Sequence, residues 1–141
     1  MKITVIGPGA IGLVLAGSLD SKNQVSVLTK PEAYEKLKQN GLWIKERNKK
    51  RKINAKIITE IDDSEIVIIA VKGYDLDTAV NLLHNFKGKV IICQNGLKML
   101  NLNLEHSNDI YAIVTSMGAI STNNGVTEFK GTGRTVLGSL N

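Results

Sequence analysis

The sequence contains few of the residues that form disulfides or bind metal ions, and few aromatic residues. Its 141 residues include one cysteine, two prolines and two histidines, and aromatic residues make up 4%. A single cysteine excludes an internal disulfide. The two histidines have no neighbouring cysteine or carboxylate pattern that is typical of a metal site or a catalytic triad. No apolar stretch approaches the ~20 residues that a membrane-spanning helix needs.

These absences narrow the class of protein. The first apolar run ends in glycines after about six residues, which is too short for a signal peptide. Cys93 lies within the apolar run of residues 90–93, so we expect a small core residue and not a nucleophile. We expect a cytoplasmic protein without a membrane partner. The length and a hydrophobic fraction of 43% suit one domain with its own core.

Positive charge is concentrated in one segment. The chain has a formal net charge of +5, but residues 45–56 alone hold seven basic residues and one acidic residue. Such a cluster can bind nucleic acid. No aromatic residue is interleaved with it here, and it lies between two strand-like segments. We therefore expect a solvated hairpin tip and no nucleic-acid partner. Attraction of an anionic cofactor or substrate is the remaining alternative.

The most informative motif lies at the amino terminus. An apolar run over residues 2–6 leads into a Gly-x-Gly-x-x-Gly loop, and a helical pattern follows at once. The order of strand, tight turn and helix is typical of the phosphate-binding corner of a dinucleotide-binding βαβ unit. The predicted cofactor-binding loop consists of Gly7, Pro8, Gly9, Ala10, Ile11 and Gly12.

Each glycine of this loop has a separate role. Gly7 lets the chain turn sharply, Gly9 lets the backbone approach a diphosphate, and Gly12 lets the helix pack against the strand. Pro8 has no N–H group, so the phosphate contacts are expected from the next amides of the loop, at the positive end of the helix dipole.

Strand and helix patterns alternate along the rest of the chain. This alternation predicts an α/β fold, a Rossmann-type doubly wound and mostly parallel sheet, with a small β-hairpin insertion around the basic segment. The last two strands are expected to pair with each other. The predicted strands are residues 2–6, 24–29, 42–46, 52–59, 66–71, 89–93, 109–115, 126–129 and 135–137, and the predicted helices are residues 10–20, 31–40, 75–86 and 97–104.

The end of the second strand favours NADP over NAD. NAD sites carry an Asp or Glu there that binds the ribose 2′-hydroxyl. This chain reads Leu28-Thr29-Lys30-Pro31 and supplies a hydroxyl and a positive charge instead. Thr29 and Lys30 are therefore predicted to bind the 2′-phosphate of NADP. In a shifted turn, Glu32 could reach the ribose and favour NAD.

An ordered set of motifs over nearly the whole chain resembles the ketopantoate reductase (2-dehydropantoate 2-reductase) family, specifically its N-terminal NADP-binding domain. The resemblance implies that residues 1–141 form one such domain. The motifs are Gly7-Pro8-Gly9-Ala10-Ile11-Gly12, Ala70-Val71-Lys72, Gln94-Asn95-Gly96, Gly118-Ala119 and Gly131-Thr132-Gly133-Arg134-Thr135-Val136-Leu137-Gly138.

The resemblance also implies roles for three residues. Lys72 is expected beside the ribose and nicotinamide of the cofactor. Asn95 is expected to contact both cofactor and substrate with its amide, and Ala119 to contact the cofactor through its backbone. The implied reaction is hydride transfer from NADPH to 2-dehydropantoate, a small 2-oxo acid. The product is pantoate, a precursor of pantothenate and coenzyme A.

The chain departs from the family pattern at its end. Family members carry a second, all-helical domain with the catalytic lysine and most substrate contacts, whereas this sequence stops at Asn141. We therefore expect no catalytic residue within residues 1–141, NADPH binding with little or no turnover, and a helical C-terminal domain or a second copy of the chain as partner. The sequence then represents a piece of a longer protein or a separately encoded half.

Two other functions fit the opening motif. One is a different dehydrogenase of the same fold, acting on another 2-oxo acid or on a sugar phosphate. The other is a nucleotide-sensing regulatory domain, such as the cytosolic gating domain of potassium transport systems. Those domains commonly carry an acidic residue after the second strand and lack the Gly-x-Gly-Arg-Thr pattern of residues 131–135, so the reductase is favoured.

Overall fold

The computed structural model describes residues 1–102, 104, 109–122 and 124–140. Two short 3-10 turns, Gly73–Asp75 and Leu97–Asn101, accompany the regular elements. The helices are α1 (Ala10–Leu19), α2 (Pro31–Asn40) and α3 (Leu76–Asn81). The strands are β1 (Lys2–Ile6), β2 (Gln24–Leu28), β3 (Trp43–Glu46), β4 (Lys49–Lys52), β5 (Ala55–Ile58), β6 (Ile66–Ile69), β7 (Lys89–Cys93), β8 (Ile110–Thr115), β9 (Gly118–Ser121), β10 (Val126–Gly131) and β11 (Thr135–Ser139).

Seven strands form the main sheet in the order β11-β8-β7-β6-β1-β2-β5. Every neighbouring pair is parallel except β11 with β8. β1 lies between β6 and β2, and its last residue, Ile6, is in register with both Ile69 and Leu28. The carboxyl ends of these three strands therefore meet at one edge. The predicted Rossmann-type α/β fold is confirmed.

Two hydrophobic clusters cover the two faces of the main sheet. Alternate residues of a strand point to opposite faces. Ile6 accordingly packs in the cluster that contains Leu76 of α3, whereas Val5 packs in the cluster that contains Leu13 of α1. Such burial on both faces explains the continuous apolar runs of the central strands. Cys93 is a buried member of the second cluster, as expected.

A second, four-stranded sheet has the order β4-β3-β10-β9 and lies against α1. It contains the predicted hairpin, but the strand predicted over residues 52–59 is not continuous, because Lys52 ends β4 and Ala55–Ile58 form β5. The chain crosses between the two sheets at Ile53 and Asn54, so β4 belongs to the small sheet and β5 to the main one. Burial of Ile53 and the bond from its amide to the Leu42 carbonyl (2.8 Å) fix this crossing.

The expected pairing of the last two strands is also wrong. β10 pairs with β3 and β9, while β11 pairs with β8 at the edge of the main sheet. Strand β9 was not predicted. Local pattern specifies that a segment is extended, but the choice of partner depends on the long-range packing of β10 against α1.

The later helices are shorter than predicted. α3 is a helix only over Leu76–Asn81, and the amides of Leu83 and Phe86 then bond three residues back, as in a 3-10 turn. The predicted helix over residues 97–104 is a 3-10 turn over Leu97–Asn101, and residue 103 lies outside the described part. Within the described ranges, no helix is long and apolar enough to cross a membrane.

Candidate cofactor-binding site

The glycine loop folds tightly against the carboxyl ends of β2 and β6. Gly7 has a φ of 107°, which favours glycine, and its amide donates to the Leu28 carbonyl at 3.1 Å. A Cβ at Gly7 would lie 2.8 Å from the Ala70 carbonyl oxygen. A Cβ at Gly12 would collide with the Gly7 carbonyl oxygen. Both glycines are therefore required by close backbone approach, as the motif predicts.

The loop is open at the position where a ligand would approach. A Cβ at Gly9 would meet no atom within 4 Å, and Pro8, Ala10 and Ile11 are only partly buried. Gly9 is the N-cap of α1, without a capping side chain, and the first turn carries no acidic residue. The first amides of α1 and the positive end of its dipole are therefore available to an anion. These features fit a bound diphosphate.

A residue that the sequence analysis missed fixes the start of α1. The Thr127 hydroxyl, on β10, donates to the Ala10 carbonyl at 2.8 Å, and the side chain is fully buried. The second sheet therefore supports the first turn of the helix from behind. The two residues are 117 positions apart, so no local pattern could indicate this contact.

Side-chain amides connect the ends of β6, β7 and β8. The Gln94 Nε2 donates to the Val71 carbonyl at 3.2 Å, and the Asn95 Oδ1 accepts from the Thr115 amide at 3.4 Å. Lys72, directly after Val71, is exposed, and Asn95 is exposed as well. The structure thus brings Lys72 and Asn95 to the same edge of the sheet as the glycine loop.

The two residues after β2 differ sharply in exposure. Thr29 is 3% exposed, and its amide donates to the Ile58 carbonyl at 2.9 Å. The Lys30 side chain is 65% exposed, and its Nζ lies 3.4 Å from Oδ1 of Asp75. Glu32 is exposed in the first turn of α2. Among the residues directly after β2, Lys30 therefore presents the accessible positive charge.

The remaining predicted contact, Ala119, lies on the second sheet. It belongs to strand β9, which lies against α1, and is in register with Phe129 of β10. Nearby, the Arg134 amide donates to the Ser116 hydroxyl at 2.9 Å. A Cβ at Gly133 would collide with the backbone of Ser116. The glycine-rich segment after β10 is thus required for close contact with the end of β8.

Comparison with known proteins identifies the family. The sequence profile described as ketopantoate reductase PanE/ApbA matches residues 3–141. The chain belongs to the ketopantoate reductase family. It is 30% identical over 143 aligned residues to 2-dehydropantoate 2-reductase from Pyrococcus horikoshii, an alignment that covers 98% of this chain and 47% of the relative.

Solved structures share the fold of this ketopantoate reductase family chain. The 2-dehydropantoate 2-reductase of Geobacter metallireducens superimposes with a TM-score of 0.81 and 22% identity, over 99% of this chain and 50% of that one. D-Mandelate dehydrogenase in complex with NADH and anilino(oxo)acetate gives a TM-score of 0.86 and 22% identity, over 100% of this chain and 49% of that one. The chain thus spans about half the length of the relatives that it matches.

A second group of polar residues lies away from the glycine loop and centres on Asp62, on the connection before β6. Asp62 accepts hydroxyl hydrogen bonds from Thr4 (3.1 Å), Ser26 (2.9 Å) and Ser64 (2.5 Å). Burial raises the pKa of Asp62, but these hydroxyls, with a smaller contribution from Lys56, outweigh it and hold the pKa below its ordinary 3.8. We call these four bonded residues, 4, 26, 62 and 64, the Asp62 cluster.

The Asp62 cluster borders a depression at the amino edge of the main sheet, with a volume of about 390 Å³. Lys2 lines it and forms an ion pair with the exposed Asp63. This pair raises the pKa of Lys2 and lowers that of Asp63. Within the described ranges, no group of three His, Cys, Asp or Glu side chains could hold a metal ion. Burial raises the pKa of the Cys93 thiol, which agrees with its place in the core.

Proposed function

We propose that residues 1–141 form the NADP-binding domain of a 2-dehydropantoate 2-reductase, an enzyme that reduces 2-dehydropantoate to pantoate with NADPH. The observation that carries this proposal is the open glycine loop at the start of α1. It occurs in a chain that aligns over 98% of its length with a relative of that name. The cytoplasm is the corresponding location, since it supplies the reduced nucleotide.

The adenosine end of the cofactor is proposed to lie between the ends of β2 and β6. The amides after Pro8 would bind the diphosphate, and Gly9 would allow its close approach. Lys30 would bind the 2′-phosphate, because its ammonium is accessible while Thr29 is 97% buried. A charge-assisted bond to a phosphate is stronger than a neutral one, which favours NADPH over NADH.

The nicotinamide end is proposed to lie near Lys72 and Asn95. A bound NADPH supplies the hydride for the keto carbon of the substrate. Asn95 uses its Oδ1 to accept from Thr115, which orients its amide group and leaves Nδ2 as the donor for a carbonyl or carboxylate oxygen. Ala119 would contribute a backbone contact. We assign no proton donor to this chain, so turnover needs groups from another polypeptide segment.

The edge of the main sheet offers a place for that segment. Val114 and Val136, in register on β8 and β11, share one face of the sheet and are 47% and 55% exposed. The matched relatives are about twice as long as this chain, so we propose that their second half, a helical domain, covers this apolar surface. A second copy of the chain is the alternative occupant, and light scattering on the purified chain separates the two by its mass.

Cofactor titration tests the proposal directly. The full chain is titrated with NADPH and NADH by calorimetry, and the variant Lys30→Glu is compared with Lys36→Glu, an exposed residue of α2. We expect NADPH to bind more tightly than NADH, and Lys30→Glu to weaken NADPH by roughly 10- to 100-fold with a much smaller effect on NADH. Lys36→Glu should change neither affinity substantially.

A folded sample that binds neither nucleotide would overturn the proposed cofactor. Equal losses for both nucleotides in Lys30→Glu would overturn the role of Lys30 alone. We also expect the chain to consume little NADPH with 2-dehydropantoate. Rapid turnover by residues 1–141 would show that they contain the proton donor.

A different 2-oxo acid is the second candidate substrate, because D-mandelate dehydrogenase with NADH shares the fold. With the chain saturated by NADP⁺, added 2-dehydropantoate should bind more tightly than an aromatic 2-oxo acid. The reverse order would favour the second candidate.

A further inference from the structure

One ion pair bridges the two strand ends on either side of the glycine loop. Lys30 follows β2 by two residues, and Asp75 ends the 3-10 turn that follows β6. Because β1 lies between β2 and β6, the Lys30–Asp75 contact of 3.4 Å reaches from one side of the loop to the other. The pair therefore lies where the adenosine end of the cofactor is proposed to bind, between the ends of β2 and β6.

Asp75 occupies the N-cap position of α3 without capping it. Its side chain accepts no capping bond from the helix, although Asp is a preferred capping residue. The carboxylate is instead directed to Lys30 and is 30% exposed. Asp75 therefore acts on the electrostatic surroundings of Lys30 and does not stabilise the start of α3 with its side chain.

The backbone around Asp75 is held from both sides. Its amide donates to the Lys72 carbonyl at 2.8 Å. The Lys98 ammonium donates to the Gly73 carbonyl at 3.2 Å and pairs with Asp77 at 2.9 Å. The turn is thus held between β6 and the segment after β7, and the Asp75 carboxylate lies within reach of Lys30.

We propose that Asp75 sets the nucleotide preference of this site by competing with the cofactor's 2′-phosphate for the Lys30 ammonium. This inference rests on the proposed function. A 2′-phosphate carries about −1.5 to −2 charge at neutral pH, so it must draw Lys30 from Asp75 and also bind close to a carboxylate. A nucleotide with a free 2′-hydroxyl meets neither obstacle. Asp75 therefore weakens NADPH selectively, and the chain discriminates less than Lys30 alone would allow.

The variant Asp75→Asn tests this proposal, and Glu35→Gln is its matched control. Both remove one negative charge, but Glu35 is an exposed residue of α2 that has no part in the Lys30–Asp75 pair. The full chain is titrated with NADPH, NADH, adenosine 2′,5′-bisphosphate and AMP. In Asp75→Asn we expect NADPH and the bisphosphate to bind about 3- to 10-fold more tightly, with NADH and AMP within about twofold of the unmodified chain. Glu35→Gln should leave all four affinities within about twofold.

The variant Lys30→Met distinguishes competition for the ammonium from direct repulsion between Asp75 and the 2′-phosphate. In Lys30→Met, the gain in NADPH affinity from Asp75→Asn should shrink, because no ammonium remains to be shared. An undiminished gain there overturns the competition, and an unchanged NADPH to NADH ratio in Asp75→Asn overturns the inference altogether. Either result leaves the proposed function intact, since the unmodified chain still binds the nucleotides. An unmodified chain that binds none of them overturns the proposed function itself.

Discussion

The two edges of the main sheet both carry polar residues, but they use them differently. At the amino edge, Asp62 accepts three hydroxyl hydrogen bonds, and Thr4 and Ser26 beside it are buried. At the carboxyl edge, Lys72 and Asn95 are exposed and the first turn of α1 has no capping side chain. The amino edge thus satisfies its polar groups internally, whereas the carboxyl edge presents donors to the solvent.

This difference separates a stabilising cluster from the proposed binding site. A buried polar group is costly unless it is bonded, so the Asp62 cluster holds the strands in place by completing its own bonds. Donors that remain accessible at a helix start are available to an anion. The depression of about 390 Å³ lies at the amino edge, at the opposite end of the strands from the proposed cofactor site.

The largest effect is expected at the carboxyl edge, from Gly12→Ala. The added Cβ would collide with the Gly7 carbonyl oxygen, which we expect to destabilise the fold by about 3 kcal/mol and to abolish cofactor binding. Gly9→Ala is the matched variant, because its Cβ would meet no atom within 4 Å. It should change stability by less than about 1 kcal/mol while still reducing NADPH affinity, since the methyl group enters the space left for the diphosphate. Thermal unfolding and calorimetry measure the two effects.

The comparison between these variants would break if Gly9→Ala bound NADPH as tightly as the unmodified chain. The open side of the loop would then not be the side that faces the ligand. A Gly12→Ala variant with an unchanged melting temperature would contradict the close approach of helix and loop.

A smaller effect is expected at the amino edge, from Asp62→Ala. It leaves buried hydroxyls without an acceptor and should destabilise the fold by about 2 kcal/mol. Fully folded samples should keep their NADPH affinity. Asp63→Ala is the control, because Asp63 is an exposed residue that pairs only with Lys2 among the described residues, and it should shift the melting temperature far less. Loss of NADPH affinity in folded Asp62→Ala would remove the functional distinction between the edges.

The carboxylate of Asp62 should also make the stability of the fold depend on pH under acidic conditions. The pKa of Asp62 is lower in the folded chain than its ordinary 3.8. Its contribution to stability is therefore present above that value and is lost as the pH falls through the folded pKa. As the pH falls below about 4, Asp62→Ala should therefore lose less stability than the unmodified chain. Denaturant unfolding at several pH values measures this difference, and parallel curves for the two chains would contradict it.

The smallest effect is expected from Lys72→Gln at the carboxyl edge. The side chain is exposed, so the melting temperature should stay nearly constant. We expect NADPH affinity to fall by roughly 5-fold, or about 1 kcal/mol, through loss of one charge beside the cofactor. Lys87→Gln, at an exposed position between α3 and β7, controls for net charge. Equal small losses in both variants would reduce Lys72 to a general contribution to the surface potential.

Much of the carboxyl edge could be predicted from sequence because its signals are local. The spacing of Gly7, Gly9 and Gly12 follows from a single turn, and Lys72 and Asn95 each come just after a predicted buried strand. The amino edge offered no such signal. No spacing or periodicity marks Asp62, and its bonds to Thr4 and Ser26 join segments 58 and 36 positions apart.

The amino-acid sequence by itself determined the parallel α/β class and the glycine loop, since both depend on periodicity or spacing within a few residues. The candidate roles of Lys72, Asn95 and Ala119 came from the resemblance to the family. Only the tertiary structure decided that β10 and β11 part into different sheets, that Thr127 supports the start of α1, and that Asp75 engages Lys30 and does not cap a helix. The physical reason is that a side chain or strand edge bonds to whichever partner the packed core brings within reach, and that partner is often remote in sequence.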